Sequence, residues 1–377
     1  MKERRLLTIG HSYVVTENRR LAHEIAVQAR GGWDVVAIAP RRFHGDLGPI
    51  EARAGEGEAV ELRTVPVRFG RSAHFMRYAA LREAMGGTWD LVHAWEEPYV
   101  AAGAQIAAAA PPSARLVYST FQNIAKAYPW PLSSFERQSM SRADGWIAFG
   151  ELVHATLRSR DGYAGKPSRV ITPGVDTRRF RPDAAAGAQT RRELGWPESA
   201  RVVGFLGRFE PQKGLDLLCR AVEALAIPWQ ALFVGGGSLE PALRAFADRH
   251  PSRVRVVTGV KHGDVPRWLN AMTLLCAPSQ TTTSWKEQFG RMLVEAMSCG
   301  VPVVGSDSGE IPYVIADAGT VLPEGDAEAW TAAIASLLDD PLECRRRAEK
   351  GLSRAREQFA WPAIARAHLA WFEEVLA

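Results

Sequence analysis

Glu287 and Glu295 stand with seven residues between them in the run 284–297, SWKEQFGRMLVEAM. Glu287 lies in a Ser/Thr-rich loop. Glu295 falls inside an apolar stretch of helical character, and Phe289-Gly290 between them reads as a loop-to-helix junction. A helix start offers backbone N–H groups without intrahelical partners and the positive end of the helix dipole, and both favour phosphate. One carboxylate ahead of that anion site and one a turn or two inside the helix can bracket a phosphorylated ligand, each accepting hydrogen bonds from hydroxyls. A nucleotide sugar suits this arrangement, with one Glu for the sugar ring and one for the ribose. A bare pair at this spacing is more often a solvated loop Glu and a surface helix Glu, so the neighbouring segments decide.

Gly207-Arg208-Phe209-Glu210-Pro211-Gln212-Lys213-Gly214 follows an apolar run, Val202–Leu206, that reads as a strand. Arg208 can grip two phosphate oxygens with its fixed fork, and Lys213, five residues on, adds a flexible point charge. Open α/β sheets bind ligands at the carboxyl ends of their strands, where this pair would stabilise charge developing on a departing diphosphate. Gly235-Gly236-Gly237-Ser238 follows a second such run and precedes a helix, with Ser238 as the expected N-cap. It lacks the third glycine of a dinucleotide fingerprint. Ser306–Pro312 is either a further wall of the same site or a capped helix start. In the first half, Gly10-His11-Ser12-Tyr13, His93-Ala94-Trp95-Glu96-Glu97-Pro98 and Thr120-Phe121-Gln122-Asn123 end successive strands. There His11, His93, Glu96 and Asn123 are candidate contacts to an acceptor or to the sugar.

The elements that must position these residues alternate. Short β-branched runs are separated by helical patterns throughout, which predicts parallel sheets of βαβ units. Strands are expected at Leu6–Gly10, Asp34–Ala39, Leu91–Ala94, Leu116–Ser119 and Gly145–Phe149. A second set is expected at Val202–Leu206, Gln230–Val234, Val254–Thr258, Leu274–Ala277 and Pro302–Gly305. Each set makes one doubly wound domain, and 377 residues is too long for one ordinary core. The boundaries are residues 1–172, a turn-rich linker 173–183, and 184–355. The C-terminal segment 356–377, with Trp361, Ile364, His368, Trp371, Phe372 and Val375 at near-helical spacing, is an amphipathic helix that has either its own domain or the first one to pack against.

Composition narrows the setting. Hydrophobic content of 46% and charged content of 23% are those of a globular protein. No apolar run approaches a membrane span of roughly 20 residues, and the apolar stretch near Met1 is too short for a signal-peptide core. Four separated cysteines without a Cys-x-x-Cys pair argue against disulfides or zinc, so the cytoplasm is the expected location. Residues 1–172 carry 22 Lys/Arg against 17 Asp/Glu, and the remainder 24 against 25. The basic first half fits an anionic acceptor or peripheral contact with an anionic inner membrane face. No basic run interleaved with aromatics points to nucleic acid.

Taken together, these segments resemble the retaining glycosyltransferase family 4, the glycosyl transferases group 1, whose members have the GT-B fold. The resemblance rests on GRFEPQKGLD at 207–216, the triple glycine at 235–237, TGV at 258–260, WKEQFGRMLVEAMSCGVPVVGSDSGEIPYV at 285–314 and GVDTRRFRP at 174–182. It covers the whole second half; in the first half it is a matter of layout. It implies an α/β architecture of two Rossmann-like doubly wound domains facing across a cleft, the first taking the acceptor and the second the donor. It also implies roles: Arg208 and Lys213 on the donor diphosphate, Glu287 on sugar hydroxyls, and Glu295 on ribose hydroxyls. Gly207, Gly235 and Gly236 would line the donor site. Phe289, Gly290 and Arg291 would meet phosphate and sugar at the helix start, Val260 would lie near the base, and Gly10 beside the diphosphate. Three departures stand out: Gln288 where Gly is common, His11-Ser12-Tyr13 in place of Gly-Gly, and HAWEEP at 93–98 lacking a second His.

The expected activity is transfer of a hexose from a UDP- or GDP-linked sugar to a hydroxyl, with anomeric configuration retained, as in polysaccharide, glycolipid or natural-product glycosylation. Hydrolases that retain configuration use two carboxyls about 5 Å apart, and no second carboxylate here reads as a nucleophile. The resemblance instead implies same-face attack with the departing phosphate taking the acceptor proton. No Asp-x-Asp motif calls for a metal, and no cofactor beyond the donor co-substrate is expected. The rival readings are a sugar-nucleotide epimerase of the same fold and an inactive binding protein derived from it.

Overall fold

Runs such as Leu6-Leu7-Thr8-Ile9 and Val202-Val203-Gly204-Phe205-Leu206 bury residues on both faces, which requires helices on both sides of each sheet. In the computed structural model, which describes residues 3–45 and 48–377, two units satisfy that requirement separately. One runs as far as Gly174 and takes in Trp361–Ala377; the other is Val175–Ala360.

The first unit contains β1 (Arg4–Ile9), β2 (Trp33–Pro40), β3 (Arg42–Gly45), β4 (Gly48–Glu51), β5 (Glu61–Val65), β6 (Val67–Arg68), β7 (Arg77–Tyr78), β8 (Leu91–Ala94), β9 (Arg115–Thr120), β10 (Gly145–Ala148) and β11 (Ser168–Val170). Seven of these form a parallel sheet in the order β11-β10-β9-β8-β1-β2-β5. β3 and β4 form an antiparallel hairpin, as do β6 and β7.

The second unit contains β12 (Val202–Arg208), β13 (Gln230–Gly236), β14 (Val254–Thr258), β15 (Leu274–Ala277), β16 (Val303–Ser306) and β17 (Thr320–Leu322). They form a parallel sheet in the order β14-β13-β12-β15-β16-β17. In both sheets the strand order reverses at a switch point, beside β1 and β8 in one and β12 and β15 in the other. That is where doubly wound sheets place ligands.

Every strand expected from the sequence is present. β5, β11 and β17 were not expected. Each lies at an edge of its sheet and is only partly buried, so its sequence lacks the continuous apolar signature of the interior strands.

The C-terminal helix, Trp361–Leu376, packs on the first unit. Ile364, Trp371 and Phe372 join a core with Leu21, Ile25 and Trp33, and the Trp33 indole donates to Glu373 at 3.1 Å. The expected linker differs from what folds. The unit boundary falls between Gly174 and Val175, and Val175 and Phe180 are buried in the second unit's core. Burying the Phe180 ring contributes about 2–3 kcal/mol to holding this turn-rich segment on the second unit's core. Residues 355–359 likewise belong to the second unit, and the C-terminal helix begins only at Trp361.

All four cysteines are free thiols. Among the described residues no helix is long and apolar enough to cross a membrane, and no group of His, Cys, Asp and Glu could hold a metal ion.

Candidate functional site

In the second unit, the loops at the carboxyl ends of β12 and β15 are tied together. Gln280 N–H donates to the Gln212 carbonyl at 2.8 Å. This linkage sets the short helical turn Pro211–Lys213 beside Ser279. Lys213 Nζ then lies 2.5 Å from Glu287 Oε2, and the Ser279 hydroxyl donates to the same oxygen at 2.9 Å. Both side chains are buried, and the ammonium also sits 4.8 Å from the Trp285 ring centroid. The loop after β16 holds Glu287 from behind, because Glu310 N–H donates to the Glu287 carbonyl at 3.0 Å. Gly309, at φ +58°, passes so close that a Cβ there would lie 2.1 Å from that carbonyl oxygen. The Ser306–Pro312 segment therefore serves as the backing of Glu287.

Arg208 is exposed at the end of β12 and makes no ion pair among the described residues, which leaves its guanidinium available to an anion. Gly207 and Arg208 pair in register with Gly235 and Gly236 of β13, so the two glycine turns lie side by side. Ser238 is not the helix N-cap. Leu239 occupies that position, and the Ser238 hydroxyl donates to Glu210 at 2.7 Å, bracing one turn against the other. Gly290 caps the helix Arg291–Ser298 in the left-handed region. The Phe289 ring points into the core against Phe359, so only its backbone can face a ligand, while Arg291 is exposed. Val260, two residues past β14, is half-buried against the same core.

Glu295, on that helix, is buried and accepts from His262 Nε2 at 3.0 Å. The Arg179 guanidinium donates to His262 Nδ1 at 2.7 Å, which leaves Nε2 as the protonated nitrogen of a neutral ring. This Arg179–His262–Glu295 chain was not anticipated. Its members are scattered along the sequence, and only the fold assembles them.

In the first unit, His11 and Glu96 meet at the carboxyl ends of β1 and β8. His11 N–H donates to Glu96 Oε1 at 2.6 Å, and its Nδ1 lies 2.6 Å from Oε2. The Tyr78 hydroxyl donates to Oε1 at 2.8 Å. Burial opposes a charge on His11, but the Glu96 carboxylate outweighs it with help from Glu97, and the imidazole pKa is raised. Glu97 accepts from the Thr120 hydroxyl and the Phe121 N–H, both at 2.7 Å; burial nevertheless pushes its pKa up to about 7. Gly10 leaves space for Trp95, whose Cβ would be 3.1 Å from a Cβ at that position. Asn123 is buried at the end of β9.

His93 does not join this group. It is fully buried between Thr8 and Ser119, its ring packed among Trp95, His368 and Phe372. Burial, with His368 adding to it, holds its pKa well below the usual value. The alternation of β8 points this residue at the C-terminal helix, so it is a core histidine and no candidate acceptor contact.

Comparison with known proteins follows the same division. A family model described as glycosyl transferases group 1 matches residues 188–354, and one described as glycosyltransferase family 4 matches residues 18–179. The chain is 31% identical over 261 residues to a lipopolysaccharide core biosynthesis mannosyltransferase of Rhizobium meliloti, covering 64% of this chain and 72% of that protein. It is 34% identical over 263 residues to a D-inositol 3-phosphate glycosyltransferase of Segniliparus rotundus, covering 66% of this chain and 56% of that one. Among solved structures, sucrose-phosphate synthase from Thermosynechococcus elongatus superposes with a TM-score of 0.74 at 21% identity over 99% of both chains. Anabaena HepE in complex with UDP-glucose superposes with a TM-score of 0.73 at 18% identity, over 98% of this chain and 99% of that one. These likenesses show the fold, which is GT-B.

Proposed function

The chain belongs to glycosyltransferase family 4, and on that premise we propose that it transfers a hexose from a nucleoside diphosphate sugar to a hydroxyl acceptor with retention of configuration. The observation that carries this reading is the buried Lys213–Glu287 pair, formed between the loops that follow β12 and β15, with Arg208 exposed at the end of β12. The relatives' printed activities, mannosyl transfer and glycosyl transfer to inositol phosphate, point to a hexose donor.

In this reading the second unit holds the donor. Arg208 and Lys213 take the diphosphate, with the helix start at Gly290–Arg291 adding backbone donors. Glu287, aimed by Lys213 and Ser279, accepts from sugar hydroxyls. Glu295, oriented by His262 and Arg179, accepts from the ribose. The first unit takes the acceptor near His11 and Glu96.

The C1–O bond to the diphosphate breaks and the acceptor oxygen bonds to C1 on the same face. The acceptor proton passes to the departing phosphate oxygen, so the products are the glycoside and a protonated nucleoside diphosphate. Arg208 and Lys213, rather than a metal ion, carry the charge that grows on the leaving group. Preorganised donors of this kind are worth about 3–4 kcal/mol each in the transition state.

The test is release of nucleoside diphosphate from UDP- and GDP-hexoses in the presence of hydroxyl acceptors, with the product's anomeric configuration read by NMR. Acceptor-dependent release and a retained anomer are expected, and Glu287→Ala should abolish both. An inverted product, or release that ignores the acceptor, would overturn the assignment.

A further inference from the structure

A cleft of about 450 Å³ in the first unit is lined by Arg41, Arg42, His44 and Arg71, with Pro66, Val67 and Gly70 completing its wall. Arg41 directly follows β2, and Pro66 and Val67 directly follow β5, so the cleft opens at the carboxyl ends of two neighbouring parallel strands. Arg41 N–H donates to the Val65 carbonyl at 2.7 Å, and Ala52 N–H donates to the Arg41 carbonyl at 3.0 Å. The backbone here is pinned, and the basic side chains project from fixed points.

None of the three arginines has a carboxylate partner among the described residues. Nearby arginines do find partners: Arg53 pairs with Glu51 and Arg63 with Glu61. The positive charge extends past the cleft, because exposed Arg68 and Arg77 sit directly opposite each other across β6 and β7. Like charges in that position repel. Glu51 stands opposite Arg42 across the β3–β4 hairpin but pairs with Arg53, so among the described residues the cations around the cleft outnumber the acid, an excess that a bound anion offsets.

We propose that this cleft binds a phosphate group carried by the acceptor. The inference rests on the reading that the first unit receives the acceptor. Arginine forks match phosphate oxygens two at a time, and several around one recess select a doubly charged phosphate over a single carboxylate. The volume holds a phosphate together with a small polyol or sugar. Strand β3, which supplies Arg42 and His44 to the cleft, turns its other face to the His11 loop. Phe43, between Arg42 and His44, packs its ring 5.2 Å from that of His11. The same chemistry is available from two sources, a soluble phosphorylated acceptor or the phosphate headgroup of an anionic lipid.

The test uses the full chain in an Arg208→Ala background, which weakens phosphate binding by the second unit. Three proteins are compared: that background alone, with Arg41→Gln/Arg71→Gln, and with the charge-keeping Arg41→Lys/Arg71→Lys. Each is titrated with inorganic phosphate by calorimetry and co-sedimented with phosphatidylglycerol and with phosphatidylcholine vesicles. The glutamine pair should weaken phosphate binding about tenfold or more, the value of one lost charge-assisted hydrogen bond or two, and the lysine pair should recover part of it. Phosphatidylglycerol binding that falls with the same variant assigns the lipid source. Phosphate binding that falls while vesicle binding is unaffected or absent assigns the soluble one. Phosphate and vesicle binding that both ignore the glutamine pair overturn the proposal. UDP and GDP titrations of otherwise unsubstituted protein are run alongside. Their failure would count against the donor site alone and leave the cleft's result standing.

Discussion

Lys213 Nζ lies 2.5 Å from Glu287 Oε2, so two residues 74 apart in sequence form one buried ion pair. The carboxylate expected to meet the sugar and the cation expected to meet the diphosphate are therefore each other's partner. Each fixes the other's position, and the ammonium keeps further protons to donate.

Removing one member leaves the other buried without its counter-charge. Glu287→Ala is expected to cost about 3 kcal/mol or more of the second unit's stability in urea titration. Lys213→Met combined with Glu287→Ala should recover a large part of that loss. Simple addition of the two single effects would mean that the pair is not coupled.

Gly309→Ala tests the same carboxylate without touching its charge. The position has φ +58°, and a Cβ would sit 2.1 Å from the Glu287 carbonyl oxygen. Strain and clash together should cost about 2 kcal/mol or more, and turnover should fall with Glu287 displaced. Wild-type turnover in this variant would show that the backing loop does not aim the carboxylate.

Glu295→Gln keeps the volume and removes the charge that His262 Nε2 meets at 3.0 Å. Affinity for the nucleoside diphosphate should fall about tenfold, the worth of a hydrogen bond to a charged group. Arg179→Ala, which only unanchors the imidazole, should have a smaller effect in the same direction. Calorimetry with UDP and GDP reads both. Unchanged affinity in Glu295→Gln would remove this residue from the donor site.

The first unit should lose stability as pH rises. The folded pKa of His11 lies above 6.5, because Glu96 outweighs the burial that opposes it. Its contribution is fully present below that value and is lost as pH climbs through the folded pKa. Glu97, raised by burial from 4.5 to about 7, has the same sign: the fold favours its protonated form, an advantage lost between those two values. Denaturant titrations from about pH 5 to about pH 8 should show a decline that His11→Asn and Glu97→Gln together flatten. A decline of equal size in that double variant would place its origin elsewhere.

The strand pattern was legible because interior strands of a parallel sheet are apolar on both faces, and a run such as Leu274–Ala277 has few other uses. The edge strands β5, β11 and β17 and the hairpins β3–β4 and β6–β7 were not legible, although the edge strand β14 was. They are half-exposed, and their pairing depends on which surface the rest of the fold leaves open. The linker was drawn too long for a related reason: turn residues mark where the chain bends, not whether Phe180 finds a core to enter.

The sequence by itself determined the two doubly wound domains and singled out Arg208, Lys213, Glu287 and Glu295 as candidates for donor chemistry. Local pattern places Arg208 at a strand end, Lys213 and Glu287 in the loops that follow strands, and Glu295 inside a helix. Only the tertiary structure decided who meets whom. It joined Lys213 to Glu287, assembled Arg179, His262 and Glu295 from three separate segments, and paired His11 with Glu96. It also turned His93 away from the loop cluster into the core beneath the C-terminal helix. The reason is physical. Period and residue type set the local conformation, whereas the partner of a buried polar group is set by which strands lie side by side, and that order follows from packing the whole chain.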